Sequence, residues 1–460
     1  MNSSDRPALL TIVLAAGKGT RMKSAMPKVL HQVGGLSLLG HVLQTARSVG
    51  SRTTAAVIGP SMPDVAAEAV RMAPGATIFV QESQKGTADA VLAARAAIAA
   101  HSGDVLVIFG DTPLIRAETV LRLVAALDRG AEAAVLGFHA KDPAGYGRLI
   151  TDGMISDGVA NLIAIREHKD ATTAERKIDF CNSGVMAFRT RNLLEILDRI
   201  EANNASGEFY LTDAIGILRK SGSRAVAVSG LEEEMLGVNS RVHLADAEAV
   251  FQTRARRRAM EDGATLVDPA TVWFSFDTVI GRDVVVEPNV FFGPGVSIGD
   301  DVVIHANCHL TGAVVEDGAE VGPYARLRPG ARIGTNAKIG NFVEVKNAHF
   351  EPGAKANHLA YIGDARVGAK ANIGAGTIFC NYDGFQKHRA DIGAGAFIGS
   401  NSSLVAPVRI GDGAFIGSGS VITRDVAGDS LALARAVQEE RPGWAAKFRA
   451  LMARKKQKDG

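Results

Sequence analysis

The sequence predicts a chain of two parts, an α/β domain with a mostly parallel sheet and then a parallel β-helix of hexapeptide repeats. In the first half, short apolar runs alternate with helical segments. In the second half, aliphatic residues recur every six positions. The 50 glycines and the low aromatic content of 5% suit a narrow coil with tight corners.

The composition bounds the class of protein. A length of 460 residues is enough for two or three domains. Lys plus Arg (51) nearly balances Asp plus Glu (49), which argues against a protein that coats nucleic acid. We expect no membrane span and no signal peptide, because no apolar run is long enough and the N-terminus lacks a basic segment. The three cysteines, Cys181, Cys308 and Cys380, are far apart and fit a reducing cytoplasm.

The first half reads as strands alternating with helices. Helices are predicted at 86–100 and 117–128, and strands at 9–14, 53–58, 77–80, 105–109 and 133–138. Ligands of parallel sheets bind outside the carboxyl ends of the strands. The loops after Leu14 and Phe109 are therefore the first candidates for a site.

A helix is predicted at 240–263, which divides the chain into domains at 1–239 and 264–460 with this helix as the linker. The helix carries four arginines, which we expect on a solvated or interface-facing side rather than on nucleic acid: Arg254, Arg256, Arg257 and Arg258. A last helix is predicted at 443–458, with a basic end.

The six-residue period continues from residue 280 to residue 422 and comprises 21 hexads, or seven coils of three. The inward positions are Ile280, Val286, Phe292, Ile298, Ile304, Leu310, Val315, Val321, Leu327, Ile333, Ile339, Val345, Val367, Ile373, Phe379, Ile392, Ile398, Leu404, Ile410, Ile416 and Ile422. The period is interrupted between Val345 and Ile392, and polar residues concentrate there. His358 is the candidate functional residue of this region, because buried polar groups are costly unless they are used.

A glycine-rich loop, LAAGKGTRM at residues 14–22, follows the first predicted strand and precedes Pro27-Lys28. Its glycines allow backbone N–H groups to approach phosphates, and Arg21 and Lys28 supply positive charge. The loop is neither a Walker A motif nor a dinucleotide fingerprint. The whole string resembles the signature of the sugar-1-phosphate nucleotidyltransferases.

Other segments resemble that family in the same order. Gln84-Lys85-Gly86-Thr87 is similar to its base-recognition segment, and Phe109-Gly110-Asp111 places an aspartate where Mg²⁺ can be held between phosphates. The remaining segments are residues 145–148, 167–169, 182–184 and 237–239. Two departures from the family pattern, Asp89 and Lys85, concern contacts to the base.

The motifs of the second half complete the resemblance. They are an Arg326–Arg328 pair, Lys346, the segment 357–364 around His358, Asn372 and the loop at 380–384. Together with the N-terminal motifs they resemble the bifunctional N-acetylglucosamine-1-phosphate uridyltransferase/glucosamine-1-phosphate acetyltransferase family, GlmU. The resemblance implies a left-handed β-helix, which is an exception to the right-handed rule for parallel crossovers.

The resemblance also implies two reactions and their partners. Glucosamine-1-phosphate would be acetylated with acetyl-CoA, and UMP would then pass from UTP to N-acetylglucosamine-1-phosphate with Mg²⁺ as cofactor. A cytoplasmic homotrimer with acetyltransferase sites between subunits is implied, with no nucleic-acid partner.

The residues implied for uridyl transfer are Arg21 and Lys28 for charge and phosphate positioning, and Asp111 and Asn239 for Mg²⁺. The residues implied for nucleotide and sugar binding are Leu14, Ala15, Ala16, Gly17, Gln84, Gly86, Thr87, Gly110, Gly147, Glu167, Asn182 and Asn239.

For acetyl transfer, the resemblance implies His358 as the general base. Arg328 and Lys346 would bind the sugar phosphate, and Tyr361 and Asn372 would orient the sugar. The implied acetyl-CoA contacts are Ala375, Asn381, Tyr382, Ser400, Ser418 and Arg435.

Two other interpretations stay open at this stage. The chain could transfer nucleotides only, with the β-helix as an oligomerisation or regulatory module. It could also be a nucleotide sensor on a structural scaffold. His358 and the loop at 380–384 argue against the first alternative, and Arg21 with Asp111 argues against the second.

Overall fold

The computed structural model describes residues 8–458, except for the side chains of Met154, Ile155 and Lys458. Tertiary contacts divide the chain into two units, Met1–Arg257 and Arg258–Gly460. The boundary falls inside the helix that was predicted as a linker. The finer division at residues 239 and 263 stays a prediction.

The first unit alternates strands and helices. Its strands are β1 (Leu9–Ala15), β2 (Gln32–Val33), β3 (Leu36–Ser37), β4 (Thr53–Ile58), β5 (Thr77–Val80), β6 (Asp104–Phe109), β7 (Ala133–His139), β8 (Arg148–Ser156), β9 (Val159–Arg166), β10 (Phe180–Arg189) and β11 (Ala225–Gly230). Its α-helices are α1 (Leu38–Ser48), α2 (Pro63–Met72), α3 (Thr87–Ala93), α4 (Arg95–Ala99), α5 (Ala117–Asp128), α6 (Leu193–Asp198), α7 (Asp213–Lys220) and α8 (Arg241–Glu261), the last of which continues into the second unit. Short 3₁₀ turns lie at Thr20–Met22, Lys28–Leu30, Glu175–Lys177, Thr190–Asn192 and Glu232–Glu234.

One sheet has the strand order β5-β4-β1-β6-β10-β7-β11-β9-β8. The pairs of β1 with β4 and β6, of β4 with β5 and of β7 with β11 are parallel. Hydrophobic clusters cover the sheet on both faces, so β1 is buried along its whole length. Leu14 and Phe109 are partners in the β1–β6 register, which brings the two predicted ligand-binding loops side by side.

The predicted strands are all present, with bounds that differ by one residue at most. The helix predicted at 86–100 is broken into α3 and α4 at Ala94. The structure also adds what the sequence did not indicate: β10 runs antiparallel to β6 and β7, and β9 runs antiparallel to β8 and β11. The sheet is therefore mixed beyond its parallel part.

Most of α8, from Arg241 to Arg257, belongs to the first unit. Ala247 is fully buried there, and Leu244, Val250 and Phe251 pack against the same cluster. The cluster also contains Met22, Val33, Leu38, Leu114 and Val238. The helix thus packs on the segment that carries the glycine-rich loop.

The second unit is a parallel β-helix with three faces, consistent with the left-handed form that was predicted. Face one contains Thr265–Leu266, Val285–Val286, Val303–Ile304, Glu320–Val321, Lys338–Asn341, Lys355–His358, Asn372–Ile373, Phe397–Ile398, Phe415–Ile416 and Leu431–Ala432. Face two contains Val279–Ile280, Ser297–Ile298, Val314–Val315, Arg332–Ile333, Ala390–Ile392 and Val408–Ile410. Face three contains Phe291–Phe292, His309–Leu310, Arg326–Leu327, Ile378–Cys380, Ser403–Val405 and Val421–Ile422, while Glu344–Phe350 and Tyr361–Val367 cross from face three to face two. A 3₁₀ turn lies at Pro269–Thr271.

Every predicted inward residue except the half-buried Ile280 is buried, which confirms the period. The predicted interruption is wrong in its extent, because Phe350, Ala356 and Ile362 continue the inward series. The count of seven coils was consequently too low, since face three alone carries eight successive strands. The real insertion is the loop at 381–389, after which the coil resumes.

The last helix of the described residues is α9 (Trp444–Lys458), close to the predicted bounds. Its side chains from Trp444 to Gln457 are exposed, and Trp444 stacks on Phe448. Within residues 8–458, no helix is long and apolar enough to cross a membrane.

Candidate functional site

Two adjoining cavities open at the carboxyl ends of β1 and β6, and both are lined by Phe109 and Asp111. The first, of about 360 Å³, is also lined by Leu14, Ala15, Ala16, Gly17, Lys28, Val29, Gln81, Gln84, Gly86, Thr87, Ala90 and Glu208. The second, of about 650 Å³, is also lined by Arg21, Thr112, Asp142, Ala144, Gly145, Tyr146, Gly147, Glu167, Asn182, Ser183, Gly184, Met235, Gly237, Asn239 and His243. The predicted nucleotide and sugar residues thus separate into two neighbouring compartments.

The first cavity is bounded by the glycine-rich loop and by the segment before α3. Gln84 donates a hydrogen bond from Nε2 to the Ala16 carbonyl at 2.8 Å, which joins these two segments. A Cβ on Gly17 would meet no atom within 4 Å, so the backbone there is open to a ligand. Thr87 accepts a hydrogen bond from Leu211 N at 2.9 Å, which fixes the start of α3.

Lys28 lies at the boundary of the two cavities. Its ammonium contacts the Asp111 carboxylate and donates to Asn239 Oδ1 at 2.9 Å. Val238 N donates to the Asp111 carbonyl at 2.9 Å, which holds the segment of Asn239 beside Asp111. A carboxylate and an amide oxygen that share one ammonium are close enough to share another cation.

The oxygen ligands of this pair suit Mg²⁺, which prefers one or two carboxylates together with substrate phosphates and water. Among residues 8–458, no group of three or more His, Cys, Asp or Glu side chains is placed to hold a metal ion. The chain therefore offers a partial ligand set, of the kind that a metal bound with a triphosphate needs.

The second cavity contains the predicted sugar contacts. Asn182 N donates to the Gly147 carbonyl at 2.8 Å, and a Cβ on Gly147 would lie 3.3 Å from Glu167 Oε2. A side chain at position 147 would therefore crowd Glu167. Burial raises the pKa of Glu167, and Thr212 donates a hydrogen bond to its Oε1 at 3.1 Å.

Other predicted residues take different positions. Arg21, an exposed residue of the 3₁₀ turn Thr20–Met22, lines the second cavity. Gly110 lines neither cavity; its Cβ would lie 3.3 Å from the Ala15 Cβ, so it packs behind the loop and places Asp111. Asp89 accepts hydrogen bonds from Gln81 and from Lys85 N at 2.8 and 3.0 Å, which explains this departure as a support of the loop.

Sequence reasoning missed several cavity residues. Glu208 and Gln81 line the first cavity, and His243, from the first turn of α8, lines the second. Glu208 and His243 come from segments without a strand-end signal, so only the tertiary fold brings them to the site. Phe109 could have been found, because it directly precedes the predicted Gly110-Asp111 pair.

The second candidate site follows one corner of the β-helix, between faces one and three. Asn341 and His358 are register partners, and following the register places Ala375, Ser400 and Ser418 on the next coils. Asn401 N donates to the Ala375 carbonyl and Gly419 N donates to the Ser400 carbonyl. We call Asn341, His358, Ala375, Ser400 and Ser418 the corner column. His358 therefore lies in a regular coil, not at an interruption.

Asn341 determines how His358 is oriented. The distance between His358 Nδ1 and Asn341 Oδ1 is 2.5 Å. An amide oxygen can only accept, so Nδ1 carries the proton and Nε2 keeps a free lone pair. His358 is exposed, and Nε2 is thus the atom that can remove a proton. No sequence motif had pointed to Asn341.

Basic side chains line face three beside the corner column. Arg328 donates to Glu344 at 2.7 Å. Lys387, from the inserted loop, lowers the pKa of Lys346 by a direct contact between the two amines. Two ammonium groups in contact favour an anion between them, and sequence reasoning had not identified Lys387.

The inserted loop is fastened to the coil by Asp364. This carboxylate accepts hydrogen bonds from Asn347 at 2.6 Å and from Asn381 at 2.5 Å. A Cβ on Gly363 would lie 2.5 Å from the Tyr361 hydroxyl, so the glycine leaves room for the Tyr361 ring. The exposed Tyr382 donates to the Gly384 carbonyl within the loop.

Not every predicted residue joins this site. Arg435 donates to the Ser418 carbonyl at 2.8 Å and so reaches the end of the corner column. Asn372 instead begins a strand of face one, in register with Lys355 and Phe397. Within one chain, the strand Asn372–Ile373 separates Asn372 from Ala375, the corner-column residue of the same coil.

Two family models match the chain. Residues 11–206 match the MobA-like NTP transferase domain. Residues 277–312, 312–347 and 389–424 match the bacterial transferase hexapeptide model of six repeats. A solved structure of UDP-glucose pyrophosphorylase complexed with UDP-glucose matches 54% of this chain and 99% of its own, with a TM-score of 0.45 and 16% identity.

Similar proteins span almost the whole chain. "Bifunctional protein GlmU" of Azorhizobium caulinodans is 60% identical over 98% of this chain and 99% of its own length. The protein of the same name from Xanthobacter autotrophicus is 58% identical, over 98% and 100%. That from a Bradyrhizobium species is 56% identical, over 96% and 97%.

Proposed function

Since the chain belongs to the GlmU family, it is a bifunctional uridyltransferase and acetyltransferase, and we propose which of its residues perform each reaction. The paired cavities carry out uridyl transfer from UTP to N-acetylglucosamine-1-phosphate. The corner column carries out acetyl transfer from acetyl-CoA to glucosamine-1-phosphate. The observation that carries this assignment is the separation of the two sets of polar residues into the two units.

In uridyl transfer, the first cavity holds UTP and the second holds the sugar phosphate. A phosphate oxygen of the sugar attacks the α-phosphorus in line, and pyrophosphate leaves. Lys28 and Arg21 position and neutralise the phosphates, while Glu167, Asn182 and the Gly147 backbone bind the sugar. The shared wall at Asp111 supports this arrangement, because it puts the attacking and the attacked group beside the same carboxylate.

A divalent metal accompanies this type of reaction, and we assign it as Mg²⁺ held by Asp111 and Asn239. When bound, the ion neutralises charge on the phosphates. Lys28 contacts both oxygens and so keeps the pair together.

In acetyl transfer, His358 Nε2 removes a proton from the sugar amine, whose nitrogen attacks the carbonyl carbon of acetyl-CoA directly. The carbon–sulfur bond then breaks, and the CoA thiolate leaves and takes up the proton from the imidazolium. Asn341 keeps the imidazole in the required tautomer. The oxyanion is held by a backbone N–H. The small side chains of Ala375, Ser400 and Ser418 leave a path for acetyl-CoA along the corner, and Arg328 and Lys346 bind the sugar phosphate.

We assign a homotrimer with acetyltransferase sites between subunits. The exposed Tyr324, Phe342 and Leu359 support an interface beside the corner column, because all three adopt positive φ, where equivalent coils have Asn or Gly. The separation of Asn372 from the corner also suits a site that a second copy completes. Sedimentation equilibrium tests the stoichiometry.

The free thiols of the three cysteines suit a cytoplasmic enzyme.

One assay tests both activities. The protein is incubated with glucosamine-1-phosphate, acetyl-CoA, UTP and Mg²⁺, and CoA and pyrophosphate are followed separately. We expect CoA release without UTP, and pyrophosphate release that requires acetylated sugar. Pyrophosphate release from UTP in the presence of N-acetylglucosamine-1-phosphate, with no CoA release from acetyl-CoA in the presence of glucosamine-1-phosphate, would leave only the nucleotidyltransferase assignment.

A further inference from the structure

A second contact joins the two chain segments that carry Lys28 and Asn239. His31 directly follows the 3₁₀ turn Lys28–Leu30, and Arg241 begins α8 two residues after Asn239. We propose that the hydrogen bond between Arg241 and His31 is a positioning contact for uridyl transfer, which keeps Lys28 and Asn239 at the spacing at which both face Asp111. This inference rests on the function proposed for the paired cavities.

The hydrogen bond from Arg241 determines the protonation state of His31. Arg241 Nη1 lies 3.1 Å from His31 Nδ1. A guanidinium can only donate, so Nδ1 accepts and the imidazole is neutral, with its proton on Nε2. His31 is 2% exposed. Burial lowers the pKa of His31, and the positive charge of Arg241 lowers it further, so the neutral ring that the contact needs is also the favoured one.

The contact between His31 and Arg241 can set the relative positions of Lys28 and Asn239, because each of its two residues is close in the chain to one of them. His31 N donates to the Lys28 carbonyl at 3.2 Å, so the ring and Lys28 belong to the same turn. At the other end, Arg241 lies in the first turn of α8, directly after the segment that Val238 N ties to Asp111. The bonds Lys28–Asn239 and His31–Arg241 therefore join the same two segments at two points, which prevents rotation about either one.

Other contacts of α8 on this part of the unit are farther from the site residues. Glu248 accepts a hydrogen bond from Gly34 N at 2.8 Å. Phe251 packs edge-on against His41, with ring centroids 5.7 Å apart, and His41 Nε2 lies 2.8 Å from the Val33 carbonyl. His41 is thus a buried histidine of α1 that packs against α8 through Phe251 and hydrogen-bonds Val33 rather than Lys28 or Asn239, and it provides a matched control.

The experiment compares substitutions of His31 that keep or remove an acceptor at the Nδ1 position. His31→Asn places an amide oxygen near that position, whereas His31→Gln reaches toward the Nε2 position and His31→Ala removes the side chain. In the full chain, we expect His31→Gln and His31→Ala to lower kcat for pyrophosphate release about 10- to 100-fold, as for a small misplacement of reacting groups. We expect the KM for UTP to change less than about two-fold, and His31→Asn to restore most of kcat.

Two further variants separate positioning from packing. Arg241→Gln should lower kcat as much as His31→Gln, and the double variant should lose little more, because one contact is being removed twice. His41→Asn should lower the melting temperature but leave kcat of the folded enzyme unchanged. CoA release, measured in the same samples, reports on an unaffected second unit.

The proposal is overturned if His31→Gln and His31→Ala keep the kcat of the wild type. It is also overturned if His31→Asn is as impaired as His31→Ala, or if the losses only follow the melting temperature as in His41→Asn. If the wild type itself releases no pyrophosphate from UTP and N-acetylglucosamine-1-phosphate, the proposed function fails, independently of any variant.

Discussion

In the first unit, Lys28 and Asn239 form a hydrogen bond across 211 positions of the chain, whereas Asn341 and His358 in the second unit are 17 positions apart. The first site exists only when distant strands have assembled into one sheet. The second site is built from equivalent positions on successive coils of a solenoid, in which each coil contacts only its neighbours. A polar cluster can thus depend on contacts between distant parts of the chain, as in the first unit, or on a short structural repeat, as in the second. We therefore expect substitutions and truncations to affect the two sites differently.

The largest expected effect tests whether the first site works alone. Asp111→Ala should abolish pyrophosphate release, because Asp111 is the carboxylate that contacts Lys28 and lines both cavities. CoA release should continue at the wild-type rate. Asp152→Ala, which removes an exposed aspartate of the same unit, is the control and should change neither rate. Normal pyrophosphate release in Asp111→Ala would remove Asp111 from the site.

The second prediction tests the corner column. His358→Ala should lower acetyl transfer by about 10²–10⁴-fold, the contribution of a positioned general base. The fold and uridyl transfer should be unchanged, because the side chain is exposed. The rates of the wild type and of the variant are compared by CoA release from acetyl-CoA under identical conditions.

Two controls accompany this substitution. His349→Ala removes another exposed histidine of the same β-helix and should have no effect. Asp364→Ala tests whether that carboxylate, which holds Asn347 and Asn381, can substitute as the base. Near-wild-type CoA release in His358→Ala would move the base elsewhere.

The third prediction tests the independence of the units. A fragment that ends after Arg257 should keep uridyl transfer and lose acetyl transfer. A fragment that ends after Arg241 should be less stable by about 2–4 kcal/mol. Fully burying a large apolar side chain contributes about 1.5–3 kcal/mol, and this cut removes the partly buried Leu244 and Phe251 together with the buried Ala247. Urea unfolding of both fragments measures the difference. Equal stability would show that α8 adds nothing to the first unit.

The smallest expected effect concerns the β-helix itself. Burial alone would lower the pKa of His305, but hydrogen bonds to Glu320 and Glu287, both at 3.0 Å, outweigh it and raise the pKa. A raised pKa in the folded state stabilises the protein below the ordinary histidine value of about 6.5, and this contribution is lost as pH rises through the folded value. His305→Gln should therefore lower the melting temperature by about 2–4 °C at pH 6 and by less at pH 8.5. A loss that is equal at both pH values would contradict the assignment.

The sequence was sufficient to predict the structure wherever a local period or motif determines it. The hexads predicted the inward residues because each coil repeats the same geometry, and the apolar runs predicted the parallel strands. The antiparallel β8, β9 and β10 were missed, since partner choice in a mixed sheet depends on the whole fold. The extent of the interruption was wrong because Ala356 is a small inward residue that does not stand out as aliphatic.

The same distinction applies to the candidate sites. Asp111 and Gly17 follow strand ends and were predictable, while Glu208 and His243 reach the cavities through tertiary folding alone. Asn341 was missed although it lies one coil before His358, because a coil of 17 positions is not a multiple of the six-residue period. Where one turn of the coil is shortened, the alignment between coils has to be read from the structure.

One inward position changes its chemistry along the β-helix. At the corner before face three, successive coils carry Val290, Cys308, Ala325, Val343 and Ala360, followed by Thr377, Ser402 and Ser420, all of them buried. Each of the three hydroxyls donates to the carbonyl of a glycine three residues earlier, at 2.6–2.7 Å.

Each of these buried hydroxyls therefore finds its acceptor within its own coil. A gene duplication or deletion of one whole coil would carry donor and acceptor together and would leave no orphaned polar group in the interior. The β-helix can thus change its length in evolution by steps of one coil. The first unit has no such freedom, because its contacts between Lys28, Asp111 and Asn239 depend on the entire chain between them.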